Sequence, residues 1–428
     1  MAGFEDHPLR YATANELHAR PFPALEAPSY AAYLAVKDPE NAVGRDRGKD
    51  RAHLLDLLDR FGAAHPAPDA THYFGQIGKH NLKWESHSEF VTYTIFVEGT
   101  AVRPFDPTAF EVFPADWLAG IPGRRLTSAL IRIEERPSDK IIREKLADWY
   151  VAESVAAVEV LDGAAVVAAD FRIDSGGHLR FAVFAGKGIT ARRIGRIVQR
   201  LCEIETYKTM SMLGHARARA IGPRLSAVDD ELSLMVRGLG GTDPATCDAE
   251  LTALLNLSGE LEGVMAQTSF RFGATRAYET IVHQRIEVLR EARFDGRQTL
   301  NEFMMRRFDP AMRSVKAAER QLNTMAKRAE RAGNLLRTRV DVERSAQNQD
   351  VLKSMDRRAD LQLRLQETVE GLSVVAISYY AVSLLAYVTY PAAGFLGLSK
   401  GQMTAALVVP VMLVVWLMVR RIRNRVDK

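Results

Sequence analysis

Two stretches without a charged side chain lie near the C-terminal end of the sequence and constrain its fold more than any other feature. The first runs from Leu372 to Leu398 and the second from Met403 to Val419. At about 1.5 Å of rise per helical residue, each can cross the ~30 Å hydrocarbon layer of a membrane. Pro391 and three glycines mark a short link between them, and we expect Pro391 to end the first helix. The sequence therefore predicts a two-span transmembrane helical hairpin.

The charges around the hairpin predict how the chain is oriented. The segment RRIRNRVDK (420–428) follows the second stretch directly and carries five basic residues. Clusters of Lys and Arg beside a span remain on the cytoplasmic side. Two spans return the chain to the side it left, so we expect the C-terminus and the large N-terminal part in the cytoplasm. The N-terminal residues contain no basic segment followed by an apolar core, so we expect no signal peptide.

Composition argues against several classes of protein. The 428 residues carry 57 basic and 53 acidic side chains, a formal net charge of +4. A nucleic-acid-binding protein would concentrate basic charge on one face, so we expect no nucleic-acid partner. The two cysteines, Cys202 and Cys247, form no disulfide framework and indicate a reducing compartment. Common catalytic motifs are absent from the sequence, so we expect no enzyme and assign no catalytic or cofactor-binding residue.

The N-terminal part predicts an α+β domain that combines a mainly antiparallel sheet with helices. The segments 82–90, 91–99 and 126–135 are rich in the β-branched and aromatic residues that favour strands. Three more strands are expected within 155–186, with turns at Asp162-Gly163 and at residues 175–177. Helices are expected at 51–61, 138–150, 190–220 and 223–236.

The predicted organisation has four parts. A helical layer follows the α+β domain, and a long stalk helix then leads into the hairpin. The parts are a cytoplasmic α/β domain (1–188), a helical region (189–308), the stalk helix (309–371), and two transmembrane helices with a basic cytoplasmic tail (372–428).

The stalk helix carries an apolar seam. Asp309 and Pro310 have the pattern of a helix N-terminus, and the polar stretch 341–350 is the expected interruption. The seam has heptad spacing, so it either packs on the chain's own domain or associates with copies of the chain. We expect the second arrangement, a homo-oligomer. The seam comprises Ala318, Leu322, Met325, Ala329, Ala332 and Leu336.

The densest polar cluster, KWESHSE (83–89), is a candidate metal site. On a strand, Glu85, His87 and Glu89 would project from one face, because side chains alternate with a period of two. Two carboxylates and an imidazole could hold a divalent cation. The alternative is a solvated strand face or a salt-bridged strand edge. The string NELHARP (15–21) is a second polar candidate, for a ligand or partner contact, against ordinary capping and packing.

Hydroxylated and small residues form one stripe on the first apolar stretch. They fall within about a 100° arc of a helix. Such a stripe suits helix–helix contact in an oligomer or hairpin, or the lining of a pore. One hairpin cannot enclose a conduction path, so a pore would need several copies. The stripe comprises Ser373, Ala376, Tyr380, Ser383, Tyr387 and Tyr390, and the hydroxyls of Ser378 and Thr389, off the stripe, can bond to preceding backbone carbonyls.

Several strings resemble a bacterial family of uncharacterised, predicted membrane-anchored proteins, a domain-of-unknown-function family found largely in proteobacteria. They extend over nearly the whole chain. From this resemblance we expect a protein of the bacterial inner membrane. The family has no established activity that the resemblance could carry over. The strings are NELHARPF (15–22), KWESHSEF (83–90), RIVQRLCEIETYKTMSML (196–213), and RTRVDVERSAQNQ with SMDRRADLQLRLQETVEGLSVVAISYY within 337–380.

The layout is also similar to that of the CorA-type magnesium channel superfamily, which has a cytoplasmic α/β domain, a long helix entering the first of two C-terminal spans, and a basic tail. That resemblance implies a homopentamer whose first span lines the pore. The superfamily's Gly-Met-Asn loop motif is absent, since Pro391-Ala392-Ala393-Gly394 follows Tyr390. We therefore expect an oligomeric inner-membrane protein of CorA-like build, an ion channel or transporter with a cytoplasmic sensing domain. The alternative is a membrane-anchored scaffold or interaction protein without transport activity.

Overall fold

The chain divides into two compact units. The first comprises Met1–Leu239 and Ala253–Arg331, and the second Gly240–Thr252 and Ala332–Lys428. The first unit contains a sheet and most of the helices, and the second contains two apolar C-terminal helical stretches. The computed structural model describes residues 5–16, 22–40, 44–238, 244–396 and 399–426.

The first unit is built on one mixed sheet. Its described strands are β1 (Ser29–Lys37), β2 (His72–Ile77), β3 (His80–Ser86), β4 (Phe90–Glu98), β5 (Arg124–Glu135), β6 (Ala156–Val160), β7 (Ala165–Ala169), β8 (Leu179–Ala185) and β9 (Ala292–Arg293). They lie in the order β2-β3-β4-β1-β5-β8-β7-β6-β9. Among these strands β5 and β8 pair in parallel, and the other neighbours pair antiparallel. The long connection between β5 and β8, which contains a helix, permits the parallel pair.

Helices precede, interrupt and follow the strands. A 3-10 helix spans Pro107–Val112. The predicted divisions before residues 189 and 309 fall close to the first residues of two long helices. The described α-helices are α1 (Arg10–Glu16), α2 (Arg47–Arg60), α3 (Ala115–Ala119), α4 (Asp139–Trp149), α5 (Ala191–Gly238), α6 (Pro244–Glu287), α7 (Leu300–Arg307), α8 (Asp309–Leu396) and α9 (Lys400–Val426).

The alternation of side chains along the strands separates the two faces of the sheet. One face packs against α2, α3 and α4 in two buried apolar clusters. Leu34 of β1 and Trp117 of α3 belong to the first cluster, and Trp149 of α4 belongs to the second. The opposite face is covered by α5, where the hydroxyls of Tyr33 and Thr206 form a hydrogen bond. The face towards α5 is therefore the more polar one.

Three predicted helix ends are wrong, because the helices continue through them. Pro223 lies inside α5 and Pro391 inside α8, although proline removes one backbone N–H and crowds the preceding turn. Ile221 and Leu225 are buried on either side of Pro223, so tertiary packing holds that helix together. The polar stretch 341–350 also continues as helix, since it contains no glycine or proline.

The first part of the α8 seam is buried within a single chain. Leu322, Met325 and Ala329 are at most 2% exposed. An ion pair between Lys316 and Glu279, 2.8 Å, joins α8 to α6 beside them. The structure therefore shows the self-packed alternative for this part of the seam, which needs no second copy to cover it. Homo-oligomerisation itself stays a prediction.

Candidate ligand cavity and apolar hairpin

A cavity of about 310 Å³ lies in the first unit where β3 and β4 face α5 and α6, and we call it the sheet–α5 cavity. Strand alternation explains its polar wall. Lys83 and Glu85 on β3 face the cavity, whereas Leu82 and Trp84 lie in the apolar cluster on the other face of the sheet. Small-molecule sites have volumes of about 300–1,000 Å³, so this cavity suits a small ligand. Its aromatic lining residues are Phe22, Tyr33, Phe90, Phe96 and Tyr207.

A line of polar contacts crosses the cavity and pairs both of its acidic side chains. Lys83 Nζ lies 3.2 Å from Glu85 Oε2 and donates a hydrogen bond to Gln199 Oε1 at 2.7 Å. Gln199 Nε2 donates to Glu203 Oε1 at 2.8 Å, and Arg285 donates to the other carboxylate oxygen of Glu203. These contacts offset the cost of holding charges in a largely buried position.

Arg200 is a lining cation with no ion pair among the residues that the structure describes. It donates to the backbone oxygen of Val288 at 3.3 Å. Burial is the main cause that lowers the pKa of Arg200, and the nearby Arg196 guanidinium lowers it further, while the Glu203 carboxylate opposes this shift only in part. Arg196 lies one helical turn earlier, and its Nε is buried with no hydrogen-bond partner among the described groups. Arg196 is not among the residues that line the cavity, but its positive charge lies close to that of Arg200, which does line it.

The segment before β1 closes one side of the cavity because α5 has a glycine opposite it. A Cβ atom at Gly195 would lie 1.7 Å from the backbone oxygen of Pro23, which only glycine avoids. The backbone N–H of Leu25 donates to the oxygen of Ala191 at 3.0 Å. This close crossing places Phe22 at the cavity. Sequence reasoning missed this glycine, although a glycine inside an amphipathic helix can mark a close backbone approach.

The predicted metal ligands do not share one strand face. β3 ends at Ser86, so His87 and Glu89 lie in the connection to β4, and the geometric basis of the prediction is absent. Glu85 and His87 line the cavity. Within the described residues, no group of three or more His, Cys, Asp or Glu is placed to hold a metal ion. Divalent-cation binding at these residues stays a prediction.

Glu89 belongs to a buried ion pair instead. It is 1% exposed and pairs with Arg271 of α6. A second arginine, Arg45, orders the connection that carries Glu89. It donates to the backbone oxygens of His87 at 2.7 Å and Ser88 at 2.6 Å. Both arginines come from distant parts of the chain, which explains why the local string could not predict this arrangement.

In the second unit, α8 and α9 each contain a stretch long and apolar enough to cross a membrane, by length and composition. Only 11% of the α8 stretch and 6% of the α9 stretch is buried, unlike the core helices of soluble proteins. Ser373 and Ser383 donate to their own helix backbone at 2.8 Å, so their hydroxyls are satisfied without a partner. Along the predicted stripe, Ser373, Ala376, Tyr380, Tyr387 and Tyr390 are exposed, and Ser383 is half-buried.

A different face of α8 meets α9. Ser378 is 5% exposed, and Val411 and Val415 of α9 are buried one turn apart. The expected bond from Ser378 to its own backbone is wrong, since its Oγ has no partner among the described groups. The bond expected for Thr389 is confirmed, because its hydroxyl donates to the backbone oxygen of Leu385 at 2.7 Å. The stripe is therefore separate from the buried face of the hairpin.

Some predicted features lie partly outside the described residues. NELHARP covers 15–21, of which 17–21 are outside them. The same holds for residues 397–398 of the hairpin link and 427–428 of the basic tail.

Comparison with known proteins adds the family. A family model described as a protein of unknown function (DUF3422) matches residues 5–426. No curated protein and no solved structure matches the chain. The predicted membership of an uncharacterised family is confirmed, and the likeness to CorA-type channels stays one of layout.

Proposed function

The chain belongs to the DUF3422 family, whose description assigns no activity, and we propose that it is a membrane-anchored protein that binds a small ligand in its first unit. The α8–α9 hairpin anchors the chain in the bilayer, and the sheet–α5 cavity takes the ligand. The cavity is the observation that carries this proposal. It combines a volume of about 310 Å³ with aromatic walls and a few convergent polar groups, the usual composition of a small-molecule site.

The anchor is supported by apolar side chains that no described part of the chain covers. Leu384 is 66% exposed, Val388 75% and Leu413 55%. Exposure of such side chains to water is unfavourable by about 25 cal/mol per Å², whereas lipid removes this cost. The basic residues after the second stretch favour the cytoplasmic side for the C-terminus. We therefore propose the bacterial inner membrane, with the first unit in the cytoplasm.

Alkaline carbonate extraction of membranes tests the anchor. The wild-type chain should stay in the membrane pellet. A chain with both Leu384→Arg and Leu413→Arg should be released in larger part, because each charge in the hydrocarbon costs about 2.5–3.5 kcal/mol. Met355→Arg, at an exposed position of α8 before the apolar stretch, is the matched control and should stay in the pellet. Release of the wild-type chain would refute the anchor.

Three naphthalene probes of different charge test the cavity: naphthalene-2-sulfonate, 2-naphthalenemethanol and 2-naphthylmethylammonium. Saturation-transfer NMR on the full chain in nanodiscs should detect binding of at least one. Thr94→Phe should abolish it, because Thr94 lines the cavity and the larger ring fills the space. Thr324→Phe, at an exposed position of α8, should leave it unchanged. If none of the three probes binds, or if binding persists in the Thr94→Phe variant, the result counts against the proposal.

The exposed stripe supports a second candidate function, an oligomeric channel or transporter of CorA-like build. The stripe lies outside the buried face of the hairpin, and the described residues 344–369 of the preceding α8 segment are all exposed. A conduction path requires several copies around an axis. Light scattering of the purified chain in detergent measures the number of copies, and a monomer removes this candidate. For an oligomer, Tyr387→Ala should change cation flux into liposomes.

A membrane-anchored scaffold is the alternative to transport, and exchange of the hairpin separates the two. An unrelated two-span anchor would replace residues 372–419. Retained function in the cell would favour the scaffold, and lost function with the protein still in the membrane would favour transport.

A further inference from the structure

The charges around the sheet–α5 cavity do not cancel. Among the described lining residues the two acidic ones, Glu85 and Glu203, are already paired with Lys83 and Arg285. Arg200 remains, and no described carboxylate forms an ion pair with it. A partly buried cation without a counter-charge is unfavourable. An anion bound beside Arg200 would supply that counter-charge.

Arg196 extends the same positive region. It lies four residues before Arg200, so the two side chains are neighbours on one face of α5. Its guanidinium lies 6.0 Å from the centroid of the Phe22 ring, which lines the cavity. The Nε of Arg196 is buried without a hydrogen-bond partner among the described groups. Since the planar donors of arginine match the oxygens of carboxylates, sulfonates and phosphates, the pair favours such an anion over a cation.

The wall beside these arginines is apolar. Phe22 of the segment before β1, Val198 of α5 and Val288 just after α6 all line the cavity. Val198 is fully buried, so this wall is a fixed part of the core. The volume of about 310 Å³ corresponds to on the order of ten water molecules. One or two rings, or a short acyl chain, fill such a space.

We infer that the sheet–α5 cavity binds a small amphiphilic anion, with its carboxylate, sulfonate or phosphate group at Arg200, next to the charge of Arg196, and its apolar part against Phe22 and Val198. This inference rests on the proposed ligand-binding function and adds the chemical class of the ligand. The bound anion contacts both α5 and the segment before β1. Ligand binding therefore stabilises the close contact between α5 at Gly195 and the segment before β1 at Pro23.

Isothermal titration of the full chain in nanodiscs with naphthalene-2-sulfonate tests this inference, and empty nanodiscs supply the blank. The sulfonate should bind at least tenfold more tightly than 2-naphthalenemethanol or 2-naphthylmethylammonium. Arg200→Gln should weaken sulfonate binding by about tenfold or more, the effect of one charge-assisted hydrogen bond. Arg200→Lys should retain part of the affinity. Arg192→Gln, at an exposed position on the same helix, should have no effect.

The possible outcomes distinguish a failure of the anionic-ligand inference from a failure of the proposed ligand cavity itself. Equal affinities for the three probes, all lost in Thr94→Phe, would overturn the anionic ligand and leave the ligand cavity in place. No binding of any probe would overturn both. If circular dichroism shows that Arg200→Gln does not fold, Arg196→Gln takes its place, and an unchanged sulfonate affinity in that variant contradicts the inference.

Discussion

Replacement of Gly195 by alanine tests how the sheet–α5 cavity is closed. A Cβ atom at this position would lie 1.7 Å from the backbone oxygen of Pro23 and 2.8 Å from its carbonyl carbon. Ordinary van der Waals contact begins at 3.4 Å, so the segment before β1 must move from α5 by roughly 1.7 Å, the difference between 3.4 Å and 1.7 Å. The obstacle is backbone, so a change of rotamer cannot relieve the clash.

The free energy of this change follows from three contributions. Overpacking of this kind costs about 1–3 kcal/mol. The shift also breaks the backbone hydrogen bond from Leu25 to Ala191, which contributes about 0.5–1.5 kcal/mol. Alanine has a higher helix propensity than glycine, which stabilises the folded chain by up to about 1 kcal/mol. Together these contributions lower the free energy of unfolding of Gly195→Ala by about 0.5–4.5 kcal/mol. We also expect weaker naphthalene-2-sulfonate binding, because Phe22 leaves the cavity.

Urea unfolding followed by tryptophan fluorescence measures the effect. Gly263→Ala is the matched control, since it lies inside α6 of the same unit, is not followed by proline, and has no atom of a neighbouring element within 4 Å of the added Cβ. It should raise stability by about 0.5–1 kcal/mol. A Gly195→Ala chain as stable as the wild type, or stabilised like Gly263→Ala, would refute the reasoning. The reporters in the first unit are Trp84, Trp117 and Trp149.

Three other stability measurements test single features of the structure. Glu89→Gln should lower the unfolding free energy by about 3–5 kcal/mol, because Arg271 is left largely buried without its counter-charge. Arg271→Met in the same chain should recover part of that loss, and a loss below about 1 kcal/mol in urea unfolding would contradict the pairing. Burial lowers the pKa of His53 and of His178 from the ordinary 6.5, so at mildly acidic pH the unfolded chain binds more protons than the folded chain. Stability should therefore be complete above pH 6.5 and fall as the pH drops through 6.5 towards the lower folded-state values, and an unchanged urea midpoint there would count against this. Ser378→Ala should leave thermal stability in detergent unchanged or raise it, since the buried hydroxyl lacks a partner among the described groups, and a clear drop would reveal a missed contact.

Elements defined by local pattern were predicted well. The expected helices at 51–61 and 138–150 are α2 and α4, and the three strands within 155–186 are β6, β7 and β8. The turn between β6 and β7 has positive φ at Asp162 and Gly163, which these residue types tolerate. These elements depend on neighbours a few residues apart, and the sequence displays those neighbours directly.

The central strand β1 was missed because its own sequence is a poor strand former. SYAAYLAVK (29–37) contains three alanines and only one β-branched residue, Val36. It becomes a strand because β4 and β5 pair with it on both sides. Ala31, Ala32 and Ala35 are fully buried there, where larger side chains would not fit. Tertiary context overrides the local preference of this segment.

The candidate site shows the same limit. The string KWESHSE lies partly at the sheet–α5 cavity, since Glu85 and His87 line it, and its use as a metal site stays a prediction. Its partners could not be identified, since Glu89 pairs with Arg271 across 182 residues of sequence. The sequence does not show whether a charged side chain is exposed to water or forms an ion pair with a residue far along the chain.

The sequence by itself determined the two apolar C-terminal helical stretches, most of the helices and the strands with clear turns, because a helical turn or strand repeat involves adjacent residues. The tertiary structure decided which faces meet. It buried the first part of the α8 seam against the chain's own helices and formed a cavity between β3, β4 and α5. The reason is distance along the chain, since contacts such as that of Lys83 with Gln199 join residues 116 positions apart.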